Sequence, residues 1–136
     1  GTATLDVPGV RFAGDFQPET LTRLARGVVA LVYFPYTNHR QVKRRPALVV
    51  GADGLHTGFP NVAVVEISSN LGRLGPVYRI PVRTANPYFP MTGLAMDSVI
   101  MTDNIMTIES ALIAQPIGLI SDMSPVDVGL RITLAL

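Results

Sequence analysis

The sequence predicts a mainly β fold: a small closed or nearly closed barrel finished by one C-terminal helix. Three observations carry that prediction. Short apolar runs rich in β-branched residues recur from Val28 onward. Each run is broken by Gly, Pro, Asn or Asp. Near the C-terminus the pattern changes from strand to helical spacing. With 136 residues, 48% hydrophobic and 15% charged, the chain has length for one domain with a real core and a composition opposite to that of a disordered chain.

In chain order, residues 1–25 lack sustained periodicity and read as an N-terminal extension, with a short helical turn over 20–26. The domain proper is read as 26–136. Strands are predicted over 28–34, 47–50, 62–68, 77–82, 98–101 and 117–120. Pro35 and Asn38 separate the first two, and Gly51, Asp53, Gly54 and Gly58 the next. Asn70, Gly72 and Gly75 follow the third, and Asn86, Pro87 and Pro90 the fourth. Ser124, Pro125 and Asp127 then make a helix start: Ser as N-cap, Pro in the first helical position and an acid in the first turn. Val126, Leu130, Thr133 and Leu134 recur at helical spacing and predict a helix lying across the barrel.

Several function classes are excluded. The chain has no cysteine, so a disulfide framework, a thiol nucleophile and sulfur-ligated zinc are all ruled out. His39 and His56 are its two histidines, too few for a multi-histidine metal cage. The apolar runs fall short of the roughly 20 residues a membrane helix needs. The first residues lack the cationic start and apolar stretch of a secretory signal. A cytoplasmic protein with no membrane association is the expectation.

Net charge is +1, yet the charges are segregated along the chain. No acid occurs between Glu19 and Asp53, an interval holding Arg23, Arg26, Arg40, Lys43, Arg44 and Arg45. A second acid-free interval, from Glu66 to Asp97, holds Arg73, Arg79 and Arg83. The stretch after Arg83 is acidic. A polyanion such as RNA would account for the basic part, as would a fringe of solvated arginines around apolar strands.

The densest polar feature is the loop His39 to Arg45, which runs into RPALVV at 45–50. Pro46 pushes Arg45 toward extended geometry, so its side chain is held at a strand start, where a guanidinium grips phosphate in two-point fashion. The second feature is the strand end Glu66, Ile67, Ser68, Ser69 and Asn70. Hydroxyls there orient a phosphate or ribose, or cap their own backbone. Ser68 has no general base beside it in sequence, and neither histidine has a nucleophile elbow, so a Ser-His-Asp hydrolase is not supported. The spacing of Asp97 and Asp103 matches no calcium loop.

Together RGVVALVYFPYT at 26–37, KRRPALVV at 43–50, VAVVEISSN at 62–70, GLAMDSVIMTDNIMTI at 93–108 and IGLIS at 117–121 resemble, in order and spacing, the MazF/PemK toxins. The resemblance spans about Arg26 to Leu136. It implies an SH3-like small β-barrel with a C-terminal α-helix, usually a homodimer. It also implies an endoribonuclease that cuts single-stranded RNA or mRNA without metal or cofactor and is blocked by a cognate antitoxin. The family's essential arginine matches Arg45, and its strand-end hydroxyl matches Ser68. These two are the expected catalytic residues, acting by 2′-hydroxyl attack to leave a 2′,3′-cyclic phosphate. Tyr36, His39, Arg40, Lys43, Arg44, Ser69 and Arg73 are the expected RNA-binding residues. Two positions depart from the family: Val28 stands where an Asp is common, and Ser68 where threonine is usual. The alternatives are a gyrase poison resembling CcdB toxins, which needs neither the KRRP loop nor the strand-end hydroxyls, and a barrel that binds RNA without cutting it.

Overall fold

Period-two alternation of valine, isoleucine and leucine in this chain produces strands buried on both faces, stacked into one antiparallel sheet. The computed structural model describes residues 24–35, 42–52 and 61–136. The strands are β1 (Val28–Pro35), β2 (Val42–Val49), β3 (Asn61–Ser68), β4 (Arg79–Val82), β5 (Ser98–Glu109) and β6 (Ile113–Leu119). A short helix α1 (Phe89–Thr92) and the C-terminal helix α2 (Ser124–Leu134) complete it, with 3₁₀ turns at Leu71–Arg73 and Ser110–Leu112. The sheet order is β4-β5-β3-β2-β1-β6, with every neighbouring pair antiparallel. This is the expected mainly β, barrel-like class. The sheet is not closed, because β4 and β6 lie at its two edges and do not pair with each other.

Alternation along the central strands divides the core in two. Val28, Ala30 and Val32 of β1, Ala47 and Val49 of β2, and Val62 and Val64 of β3 pack on one face with Ile108 and Ile113. Val29, Leu48, Val65 and Ile67 point to the other face, where Val82, Ile100, Ile120 and Val126 cover them. Each fully buried aliphatic side chain contributes about 1.5–3 kcal/mol relative to exposure. β1, β2 and β3 are thereby fixed in register from both sides.

The bounds of four strands differ markedly from the sequence reading. β2 begins at Val42, so Lys43, Arg44 and Arg45 are strand residues paired with Phe34, Tyr33 and Val32 of β1. β4 is shorter than expected, since Val77 and Tyr78 belong to the preceding turn, closed by Arg79 N–H to Pro76 C=O. β5 runs for 12 residues, more than twice the expected length, and pairs with both β3 and β4. β6 also starts earlier, at Ile113. The expected turn over 20–26 falls largely outside the described residues.

The C-terminal helix is present with a different start. Ser124 is already helical, and the Asp122 carboxylate accepts its N–H at 3.0 Å, so Asp122 does the capping assigned to Ser124. Val126 is buried under the sheet, while Leu134 is 52% exposed instead of packed. Gly129 brings α2 against β5: a Cβ there would lie 2.7 Å from Thr102 Oγ1. No helix among the described residues is long and apolar enough to cross a membrane.

Candidate functional site

The face of the sheet that carries the first core turns polar at one end, where β1 finishes, β2 begins and β3 finishes. Arg45 follows the alternation of Ala47 and Val49, so it stands on that face, and Lys43 with it. Arg44 alternates to the opposite face, beside Tyr33. The β2 and β3 partners run from Val49↔Val64 to Ala47↔Glu66 and stop there. Pro46, which has no N–H to donate, is the next residue. Arg45 and Ser68 each lie two residues beyond the last β2–β3 pair, Ala47↔Glu66, on the face that this pair shares.

On β3 the residues sharing this face are Val62, Val64, Glu66 and Ser68. Ser68 is buried, with its Oγ accepting the Asn70 N–H at 3.1 Å. Its hydroxyl hydrogen is still available to donate. Asn70 Oδ1 in turn accepts the Gly72 N–H at 3.0 Å and caps the Leu71–Arg73 turn. That turn is tied down from β4, because Arg79 donates to the Arg73 carbonyl at 3.1 Å. Ser69 and Arg73 are exposed on this braced segment.

The β3–β5 register slips between Val65↔Ile105 and Glu66↔Met101, leaving Thr102, Asp103 and Asn104 as a bulge in β5. Each bulged residue has a fixed partner. Thr102 is fully buried and donates its hydroxyl to the Tyr78 carbonyl. Asp103 takes two hydrogen bonds from Arg79, at 2.9 and 3.2 Å. Asn104 Nδ2 donates to Glu66 Oε2 at 2.5 Å.

The charge segregation of the sequence is resolved in space by pairing. Arg26 meets Asp127 at 2.5 Å, Arg79 meets Asp103 at 2.9 Å, and Arg83 approaches Asp97 at 3.8 Å. The C-terminal acids thus neutralise three of the arginines from the basic part. Hydrogen bonds from Arg79 hold the Asp103 carboxyl below the usual carboxylate range. The Thr84 N–H does the same for Asp97, and Ser124 for Asp122. Burial pushes the Tyr88 phenol up.

Of the residues expected from sequence, Arg45, Lys43 and Ser68 share one polar end of one face, with Ser69 and Arg73 on the turn that follows. Arg44 occupies the other face. Tyr36, His39 and Arg40 lie outside the described residues. Sequence reasoning left Glu66 and Asn104 without a role. The alternation Val62, Val64, Glu66, Ser68 was the signal for Glu66, whereas the bulge that aims Asn104 has no such periodic mark. A cavity of about 200 Å³ between β4 and the start of α2, lined by Val82, Tyr88, Ile100, Pro125 and Val126, contains none of these residues. It opens on the side of the second core.

Residues 25–136 match the family model described as PemK-like, MazF-like toxin of type II toxin-antitoxin system. A search of curated protein sequences finds no match. Among solved structures, the Mycobacterium tuberculosis toxin MazF-mt6 is similar, with TM-score 0.62 and 22% identity over 82% of this chain and 98% of that one. An endoribonuclease in complex with its cognate antitoxin, from a mycobacterial species, has TM-score 0.64 and 18% identity over 82% and 95% of the two chains. MazF from Deinococcus radiodurans has TM-score 0.58 and 20% identity over 82% and 96%. At these identities the structural likeness shows a common fold.

Proposed function

The chain belongs to the PemK-like, MazF-like toxins of type II toxin–antitoxin systems, and on that premise we propose that it is a metal-independent, sequence-specific endoribonuclease acting on single-stranded RNA, mRNA included. The observation that supports this best is that Arg45 and Ser68 share the polar end of an otherwise apolar face, each two residues beyond the Ala47↔Glu66 pair. The ribose 2′-oxygen attacks the adjacent phosphorus, the P–O5′ bond breaks, and a 2′,3′-cyclic phosphate and a 5′-hydroxyl result. Arg45 stabilises the charge that develops on the phosphoryl oxygens, a role for which a planar, two-point donor is suited. Ser68 donates its hydroxyl hydrogen to the phosphate, since its oxygen already accepts from Asn70.

Lys43, Ser69 and Arg73 hold the RNA backbone beside the cut, and Arg44, on the opposite face, meets it away from the cut. Tyr36 and His39 stack on unpaired bases and Arg40 adds a phosphate contact, roles that rest on the sequence reading alone. Residues 26–136 are the toxin domain and 1–25 an extension from it. An mRNA substrate puts the reaction in the cytoplasm. A cognate antitoxin that covers the RNA face is the expected partner, as the mycobacterial endoribonuclease was solved with its own. Val128 and Ile132, one turn apart on the outer face of α2, and Leu136 are exposed, and a homodimer would cover such a stripe.

The test is digestion of a long, unstructured RNA by purified protein in excess EDTA, with the product ends analysed. Discrete cuts ending in cyclic phosphate are expected. Binding without cutting would favour the RNA-binding barrel, and gyrase inhibition without RNA cleavage the gyrase poison.

A further inference from the structure

The reaction needs a group that accepts the 2′-hydroxyl proton, and an arginine guanidinium, with five donors and no acceptor, is poorly made for it. Among the described residues Asp97, Asp103 and Asp127 are bound to arginines and Asp122 caps α2, while Glu109 pairs with Asn61 at the opposite end of β3 from Ser68. Glu66 differs. It takes part in no ion pair among the described residues, and its one hydrogen bond there comes from a neutral amide, Asn104. It is half-buried on the face shared by Arg45 and Ser68. Two residues of strand put its Cα about 7 Å from that of Ser68. On β2, Arg45 lies on the same face, two residues from Ala47, the partner of Glu66.

The hydrogen bond from Asn104 is itself built. Three extra residues enter β5 opposite Val65 and Glu66, and the bulge they form points an amide at one carboxylate oxygen. The Asn104 amide can only donate to a carboxylate from its nitrogen, so Oε2 is fixed while Oε1 keeps its lone pairs for another hydrogen. The bulge is in turn held by Arg79 on Asp103 and by the Thr102 hydroxyl on Tyr78. Anchoring of this kind keeps a reactive side chain in one orientation.

We propose that Glu66 is the general base of this site, positioned by Asn104. This rests on the ribonuclease reading given above and names a residue that reading left out. The Glu66 carboxylate takes the proton from O2′ as O2′ bonds to phosphorus; the P–O5′ bond breaks and the departing oxygen takes a proton from water. Glu66 then releases its proton to solvent. The charged groups around it are Arg45 and Lys43 on β2 and, on the β5 side, Asp103 with its Arg79 partner.

The test is single-turnover cleavage across pH by wild type, Glu66→Gln and Asn104→Ala, beside binding of the same RNA carrying a 2′-deoxy residue at the cut. Glu66→Gln keeps the acceptor for Asn104 and the shape of the side chain. It should lower the cleavage rate about 10²- to 10⁴-fold, the range of general-base catalysis, abolish the acidic limb of the rate profile, and leave affinity for the deoxy RNA within about twofold. Asn104→Ala should lower the rate by less, again without loss of binding. Wild-type cutting with Glu66→Gln within about threefold of it, or a rate loss matched by lost binding, overturns the proposal and leaves the ribonuclease reading intact. Wild type that binds RNA and never cuts it overturns both. Should Glu66→Gln fail to fold, Asn104→Ala decides: a cleavage rate equal to that of wild type overturns the proposal.

Discussion

Replacing Gly129 by alanine should destabilise this protein, the reverse of what alanine does at an exposed helical glycine. In an open helix that change gains about 1 kcal/mol of propensity. Here the added Cβ would stand 2.7 Å from Thr102 Oγ1 and 2.9 Å from Thr102 Cγ2. Thr102 has no exposure and its hydroxyl is committed to the Tyr78 carbonyl, so rotating it away strands a buried acceptor. Forcing a methyl into such a contact costs about 1–3 kcal/mol, and with the propensity gain set against it the net loss is about 1 kcal/mol. Urea unfolding of wild type, Gly129→Ala, Thr102→Ala and the double variant would measure this. The double variant should be more stable than the two single losses added together, because each change relieves the other. A Gly129→Ala protein as stable as wild type would refute the close packing of α2 on β5, and with it the anchoring of the bulge that starts at Thr102.

Four further outcomes follow from the same geometry. Ser68→Ala should lower cleavage while RNA binding persists, and Ser68→Thr should retain activity, since the donor hydrogen is restored; rate and affinity measured separately decide this. Lys43→Ala should reduce the slope of log affinity against log salt by about 0.7 for one lost phosphate contact on single-stranded RNA, and Arg44→Ala by less, because Arg44 stands on the opposite face. Ile67, 1% exposed between Glu66 and Ser68, anchors the site strand in the second core; Ile67→Ala should cost about 2–5 kcal/mol in denaturant unfolding. Hydrogen bonds hold the carboxyl groups of Asp97, Asp103 and Asp122 below the ordinary carboxylate range in the folded state. Their stabilisation is therefore complete above about pH 4 and is lost as pH falls further through the folded values. Acid unfolding should begin there, and Asp103→Asn should flatten that limb.

The strands that carry both cores were readable because their residues alternate between two buried faces, as in 28–34 and 62–68. The start of β2 was not, because at Lys43, Arg44 and Arg45 both faces have left the core and the apolar signal is gone, though pairing with β1 continues. β5 was cut short for a related reason: Thr102, Asp103 and Asn104 have the composition of a turn, and only their tertiary partners Tyr78, Arg79 and Glu66 make them a bulge within one strand. At the helix start the residue types were recognised and the positions displaced, as Asp122 supplies the acceptor two residues before the helical N–H it binds. In the site, Arg45 and Ser68 came from motifs along the chain. Asn104 is 38 residues from Glu66, and no local pattern joins them.

The central claim is that Arg45, on the face it shares with Ser68, performs phosphodiester cleavage. The most direct measurement compares wild type with Arg45→Ala and Arg45→Lys on one RNA in excess EDTA, reading cut positions, product ends and affinity for uncleavable RNA. Discrete cuts ending in 2′,3′-cyclic phosphate, abolished in Arg45→Ala and not restored by Arg45→Lys while all three proteins stay folded, are the expected result, because lysine lacks the two-point donor. Undiminished cleavage by Arg45→Ala would contradict the account.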